Sequence, residues 1–299
     1  MRTQKRHTPD LLDRFKANKR GIGTAVDYVP WHRVSRGDPS SHGRSHLLAW
    51  RGRHIELLSD LEWVACSFAI MAPGLIDLRE QFPLSLEEAA HELAAYDISQ
   101  SCHRYPGSRD LAQRLGIVHP RISGEGVQAP WVMTTDLLLT LQRADDQPEL
   151  LAVACKCAQD IQSRRTVEKL RLEQAYWKAR GVRWLLITPT LYEASVGLTL
   201  RRTIPWGLER EVPAAVRSIA VRVATACAGH TLTHALARIA EEVGALDLAQ
   251  TAFWQAVWRG ELTLDLRHGW RPHRPVVLMA HDDFYALNPI VSRRSAWTN

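Results

Sequence analysis

Five cysteines are spread along the chain, at positions 66, 102, 155, 157 and 227, and no two form a C-x-x-C pair. That scatter supports neither a zinc framework nor a disulfide framework and leaves free thiols in a reducing compartment. No uninterrupted apolar run approaches the roughly 18 residues of a membrane-spanning helix. The opening MRTQKRHTPDLLDRFK also lacks the apolar core of a signal peptide. The expectation is therefore a cytoplasmic protein with no membrane partner. Internal repeats and low-complexity tracts are absent too, which argues against a solenoid or a linker-rich chain.

What is present is an ordinary globular composition, 45% apolar and 23% charged, on a chain of 299 residues. That length suits one large domain or two ordinary ones. The net charge of +6 is uneven, because residues 1–53 hold 12 Lys/Arg against 4 Asp/Glu, a net of +8, and the remainder carries −2. A local basic segment suits a polyanion such as DNA, or forms a solvated tail.

Patterning divides the chain into a basic segment over 1–53, an α/β domain over 54–189 and a C-terminal domain over 190–299. In the middle part HIELL reads as a strand and Ser59 to Met71 as a helix. GLIDLREQFPL reads as a second strand, and a polar insertion from about Ser85 to Pro130 carries a helix near Leu86 to Ala95. MTTDLLLTLQRADDQPELLAVACKC has two β-rich runs around a polar turn, a hairpin signal. SRRTVEKLRLEQAYWKARG is a helix that stops at Gly181, and WLLIT is a short buried strand. Together these predict an α/β core. Beyond residue 190, helix, turn at Gly244, helix, then two strands around a basic turn is the order of a winged helix. Trp254 and Trp258, four apart, are expected in its core. Arg267, His268, Arg271, His273 and Arg274 crowd the turn, where they could hold phosphate.

Chemistry concentrates in three places. Ser59 and Glu62 have capping-box spacing, so Glu62 is either a helix cap or something more. In the hairpin, opposite residues should have numbers summing to about 292, which sets Asp136 across from Lys156 on one face. A buried acid beside a lysine is either an ion pair or part of an active site. With Glu62 added, two carboxylates near one lysine would suit Mg²⁺ and phosphodiester hydrolysis, since magnesium takes hard oxygen ligands. Glu173, on the helix after the lysine, either reaches the same site or pairs with Lys169 at i,i+4 spacing. Asp77, Arg79 and Glu80 read as a structural ion cluster. Tyr28, Trp31 and Arg44 could approach DNA or, for the aromatics, pack.

DYVPWHRV, SSHGRSHLL, HIELLSDLEW, IDLREQFPL, VMTTDLLL and RTVEKLRLEQAYW occur in that order over roughly residues 14–189. On these stretches the chain resembles the TnsA endonuclease family, the nuclease subunit of heteromeric cut-and-paste transposons. Beyond them the likeness is one of layout and of WRGELTLDL.

The resemblance implies a restriction-endonuclease-like α/β core followed by a mostly α, winged-helix-like C-terminal domain. It implies catalytic roles for Glu62, Asp136, Lys156 and Glu173. The family's polar residue two before the lysine falls on Ala154, a departure that removes a side-chain ligand. The implied metal set is then Glu62, Asp136 and the backbone carbonyl of Cys155, holding Mg²⁺, with Mn²⁺ able to substitute. Also implied are double-stranded DNA at transposon ends as substrate, cutting of the 5′ ends, and a DDE-type transposase partner. An AAA+ ATPase regulator would meet the C-terminal domain, and the setting would be the bacterial cytoplasm and its nucleoid. The alternatives are a stand-alone restriction or repair nuclease and a catalytically inactive DNA-bridging subunit.

Overall fold

The structure is a computed structural model that describes residues 7–35, 38 and 44–297. The turn expected over RGDPSSHGRSH lies mostly outside them. Two compact units divide the chain. The first comprises the described residues up to Trp63 with Gly74–Thr188 and Trp297; the second comprises Val64–Pro73 with Pro189–Ala296.

The first unit begins with α1, Pro9–Ala17, capped by Thr8, whose hydroxyl accepts the Leu11 N–H at 3.3 Å. A proline at the first helical position loses no bond, because that N–H has no helical partner. The helix buries Leu12 and Phe15 against Trp31 and Val132. This helix was not expected; its apolar spacing is short and flanked by charge. β1, His46–Trp50, and β2, Arg53–Leu57, form an antiparallel hairpin around Arg51 and Gly52. Both turn residues have positive φ, 44° and 83°, as a two-residue turn of this kind requires.

α2 spans Asp60–Ile70 and β3 spans Leu75–Pro83, close to the predicted bounds. The insertion follows. It holds β4, Ala89–Ala90, paired with β5, Arg104–Tyr105; α3, Ser108–Arg114; and β6, Arg121–Gly124, paired with β7, Val127–Pro130. The helix expected over Leu86 to Ala95 is replaced by β4 and a single 3-10 turn at Glu92–Ala95. Tertiary bonds override helical propensity there. The His91 ring accepts the Leu93 N–H at 3.0 Å and bonds the Arg180 carbonyl at 2.9 Å, while Glu92 takes the Arg180 guanidinium at 3.0 Å.

The central sheet comes from β3, β8 (Thr134–Gln142), β9 (Pro148–Cys155) and β10 (Arg183–Ile187), in the order β10-β9-β8-β3. β10 runs parallel to β9, and the other two pairs are antiparallel. The parallel pair is joined by α4, Arg164–Ala179, as a parallel connection requires. α4 buries Leu170, Leu172, Tyr176 and Trp177 and ends beside Gly181 at φ 68°. Each such side chain, fully buried, contributes about 1.5–3 kcal/mol. Gly74 makes the sheet corner. A Cβ there would stand 2.7 Å from the Gln142 carbonyl, and its own carbonyl accepts the Gln142 N–H at 2.7 Å.

The β8–β9 register pairs Leu137 with Val153, so partner numbers sum to 290 rather than 292. The turn is one residue earlier than expected, with Asp146 at φ 61°. Asp136 therefore stands opposite Ala154, and Lys156 lies just past the strand end.

The second unit is helical. It contains α5 (Ala194–Gly207), α6 (Ala214–Ala226), α7 (Leu232–Val243), α8 (Leu246–Trp258) and α9 (His281–Ala286). α8 is the hub, packing on α5, α6 and α7. Phe253, Trp254, Val257 and Trp258 are buried on it, and the Trp258 indole donates to the Thr203 hydroxyl at 2.9 Å. α7 starts on a Thr231 cap and stops at Gly244, φ 90°, so the helix-turn-helix lies as predicted. The two following strands do not form a ladder. Single bridges at Leu264↔Leu278 and Thr231↔Pro275 stand in their place. Pro272 and Pro275 have no N–H to give, and Asp265 is tied to Arg267 by two side-chain bonds of 2.8 Å. No helix among the described residues is long and apolar enough to cross a membrane.

Candidate active site

β8 brings Asp136 to the end of the sheet where β9 finishes. Asp136 Oδ2 accepts the Cys155 N–H at 2.7 Å and the Lys156 ammonium at 3.2 Å. Lys156 Nζ also donates to the Cys155 carbonyl at 2.9 Å, and the Lys156 N–H donates to Ile187 on β10 at 3.1 Å. The expected Asp136–Lys156 pairing thus exists, though strand end and not cross-strand register brings it about. Burial works against charge on Lys156, but Asp136, Glu173 and Glu62 outweigh it, and its pKa rises above the ordinary lysine value.

Glu62 enters from the first turn of α2. Its carboxylate accepts the Leu58 N–H at 2.8 Å and the Ser59 hydroxyl at 3.0 Å, and the Glu62 N–H donates to Ser59 Oγ at 3.1 Å. The capping box is therefore real, and it does not exhaust Glu62. The Gln81 side-chain amide of β3 donates to Glu62 Oε2 at 3.0 Å. Burial, then the Asp136 charge, raises the Glu62 pKa from 4.5 to about 7.

Glu173 sits on the inward face of α4. Thr135 Oγ1 donates to Glu173 Oε1 at 2.8 Å, and the Trp184 indole donates to the same oxygen at 3.1 Å. Thr135 in turn accepts the Trp177 indole at 2.7 Å. Lys169 is not its partner and makes no hydrogen bond or ion pair among the described residues, so the helix-surface pairing is ruled out. Burial, then Asp136, lifts the Glu173 pKa to about 7.

Glu62, Asp136 and Glu173 are each less than a tenth exposed, at 7%, 8% and 4%. Among the described residues Lys156 is the only cationic side chain hydrogen-bonded or ion-paired to one of them, so the cluster is short of positive charge. A cavity of about 270 Å³ opens beside it, lined among others by His32, Trp131, Asp136, Lys156, Lys169 and Glu173. Glu62 is not in that lining. The three acids do not close into one tight ligand cage. Among the described residues, that arrangement is met by His7, His32 and Asp38, whose candidate ligand atoms lie within 4.8 Å of one another. There Asp38 is already held by Arg20 at 2.8 Å and by the Arg33 N–H at 3.0 Å. One H-x-x-x-H spacing also exists, His230 and His234, with rings 4.8 Å apart; no third His, Cys, Asp or Glu ligand joins them among the described residues.

Ala154 is fully buried opposite Leu186 of β10 and offers no side-chain ligand. The Cys155 carbonyl is shared with Lys156, and burial keeps the Cys155 thiol protonated by pushing its pKa up. Of the N-terminal trio, Tyr28 and Trp31 are core residues, and Arg44 alone is exposed. Asp77, Arg79 and Glu80 are structural. Asp77 accepts the Ala25 N–H at 2.9 Å and the Tyr96 hydroxyl at 2.5 Å, Arg79 stacks on Phe82 and Tyr96, and Glu80 pairs with Arg53.

Sequence reasoning missed Gln81, Thr135, Trp177 and Trp184 as supports of the site. A glutamine in the middle of the otherwise strand-like LREQF was a usable signal for the first. The others bond across elements far apart in sequence and left none.

A mixed sheet with acids and a lysine gathered at one strand end, followed by a helical unit, is the architecture of an α/β nuclease core with a helical C-terminal region. Residues 73–189 match the family described as TnsA-like endonuclease N terminal. The transposon Tn7 transposition protein TnsA of Escherichia coli is 32% identical over 189 residues, which are 62% of this chain and 58% of that protein. Residues 73–189 are thus similar to the N-terminal domain of TnsA-like endonucleases. The chain spans little more than half the length of that relative.

Proposed function

We propose that the chain is the metal-dependent DNA endonuclease subunit of a heteromeric transposase, cutting the 5′ ends of a transposon. The observation that carries this is the cluster of buried Glu62, Asp136 and Glu173 with the half-buried Lys156 beside an open cavity. The similarity to TnsA-like endonucleases supports it.

The donor set fits a hard divalent cation. It offers carboxylates and a main-chain carbonyl, and negative charge in excess of what Lys156 balances. Glu62, Asp136 and the Cys155 carbonyl would hold Mg²⁺, with Mn²⁺ as a substitute. When bound, the ion supplies a Lewis acid for a phosphate oxygen and lowers the pKa of a nearby water.

The chain's own groups do the rest. Lys156, kept charged by three acids, orients the attacking water and offsets charge developing on the phosphate. Glu173, fixed through Thr135 and Trp184 and lining the cavity, serves as a proton acceptor near neutral pH. Lys169, unpaired at the cavity wall, takes a DNA phosphate. In-line attack leaves a 3′-hydroxyl and a 5′-phosphate. The restriction-endonuclease-like core acts with a winged-helix-like C-terminal domain, which meets DNA and an AAA+ ATPase regulator, while a DDE-type transposase cuts the 3′ ends. Site choice rests with that transposase, so the isolated chain is expected to be nearly silent.

A second reading, a DNA-bridging subunit without cleavage, is favoured by one feature, Ala154 where the family has a polar residue. One assay separates the two: nicking of transposon-end DNA with Mg²⁺ or Mn²⁺ and the cognate transposase. The wild type should nick and Asp136→Ala should not. Equal cleavage by both, or cleavage by neither, overturns the nuclease assignment.

A further inference from the structure

Seven non-glycine residues among those described have positive φ: Lys19, Ala25, Arg51, Gln81, Glu125, Asp146 and Arg293. Gln81, at φ 47° and 2% exposed, is the buried one, and it lies inside β3 instead of in a turn. A non-glycine residue in this region costs on the order of 1–3 kcal/mol and persists where its surroundings impose it. The ladder itself does not demand it, because Glu80 and Phe82 on either side keep regular partners, Leu137 and Thr135.

The distortion has a clear product. Gln81 turns its carbonyl out of the ladder toward the Trp31 N–H at 3.3 Å. Its side-chain amide reaches Glu62 Oε2 at 3.0 Å, and its amide oxygen accepts Thr134 Oγ1 at 3.4 Å. The orientation follows from chemistry, since an ionised carboxylate can only accept. The other donors to Glu62, from Leu58 and Ser59, belong to its own helix start. They fix Glu62 within α2 and nothing more. Gln81 is different. The flanking pairs 80↔137 and 82↔135 set it opposite Asp136 on β8. Through Gln81, an acid on a helix is held to the strand neighbouring the second acid.

We propose that Gln81 is a positioning residue for Glu62, its strained backbone being retained because it aims the carboxamide that sets Glu62 against Asp136 for divalent-cation binding. This rests on the metal-nuclease reading above. The cation in question is a hard, oxygen-liganded one such as Mn²⁺ or Mg²⁺.

Gln81→Gly separates strain from function, since glycine adopts φ 47° freely and carries no amide. The full chain is titrated with Mn²⁺ directly, by calorimetry or by loss of the free-ion electron paramagnetic signal, and its melting temperature is recorded. Nicking with the transposase is then followed against Mn²⁺ concentration. Gln81→Gly should melt no lower than wild type yet need about tenfold or more Mn²⁺ for half-saturation. Its nicking rate should recover substantially at saturating metal. Gln81→Asn, which tolerates positive φ and keeps an amide, should fall between the two. Wild-type Mn²⁺ dependence in Gln81→Gly, with the wild type active and Asp136→Ala dead, overturns the proposal and leaves the nuclease reading standing. A Gln81→Gly chain that unfolds also overturns it, because the residue would then be structural. If wild type binds no Mn²⁺ and cleaves no better than Asp136→Ala, the nuclease reading has failed and this inference falls with it.

Discussion

Two buried charge clusters in the first unit invite comparison. In one, Arg53 and Glu80 pair at 2.7 Å, with Glu80 fully buried. Glu80 also takes the Glu56 N–H at 3.0 Å, and Arg53 lies 5.4 Å from the Tyr28 ring centre. One cation meets one anion, and the bonds are made. In the other, Glu62, Asp136 and Glu173 share Lys156, and burial with mutual repulsion lifts Glu62 and Glu173 to about 7. Burial is alike in the two clusters and charge balance is not. The matched cluster holds the fold together, whereas the mismatched one is left with negative charge in excess of what Lys156 balances.

The sharpest way to break this contrast is to remove one acid from each cluster. Glu80→Gln strands the Arg53 charge and should destabilise the chain by about 3–5 kcal/mol, read from denaturant unfolding. Asp136→Asn should leave stability within about 1 kcal/mol and lower metal-dependent nicking by about 10²–10³-fold or more. Similar stability losses in both variants would erase the distinction.

A smaller effect is expected at Glu173. Glu173→Gln keeps one oxygen for the Thr135 and Trp184 donors and removes the ionisable group. Nicking should fall by about tenfold to a hundredfold, with stability above pH 7 unchanged or raised.

The pH dependence of stability follows from the same mismatch. Glu62 and Glu173 hold their protons more tightly folded, at about 7, than in the unfolded chain near 4.5. Below pH 4.5 both states are protonated and nothing is lost. As pH rises from 4.5 through 7 the folded chain loses stability, by up to about 1.4 kcal/mol per pH unit for each carboxyl. Melting temperature without metal should therefore drift down over this window in wild type and less in Glu173→Gln. Added Mg²⁺ should restore more at pH 8 than at pH 6, because it competes with those protons.

The smallest change is expected at Lys169. It has no acid to stabilise, so Lys169→Ala should leave melting unchanged while weakening DNA binding a few-fold and flattening its salt dependence by about one phosphate contact.

How far the sequence reached differs between these regions. Apolar period and stop signals gave α2, β3, β8, β9, α4 and β10 close to their bounds, because each is long and strongly patterned. β1 and α1 were missed, being short and set among basic residues. The insertion went wrong where His91 and Glu92 take distant partners, Arg180 and Tyr176, that no local pattern announces. In the site, the Asp136–Lys156 pair was legible from hairpin alternation even with the register off by two residues, because an even shift keeps both on one face. The Glu173 question could not be settled from spacing, since Lys169 is at pairing distance along the helix and yet points into the cavity wall. Gln81 was detectable only as a polar residue out of place in a strand; its reach to Glu62 depends on a positive-φ backbone that strand periodicity cannot express.

The central claim is that the acid-rich cluster is a divalent-cation site. Calorimetric titration of the full chain with Mn²⁺ at pH 7.5, wild type against Asp136→Asn, tests it most directly. Saturable binding in the wild type that disappears in Asp136→Asn is the predicted result. Equal heats from the two chains, or none from either, would contradict it.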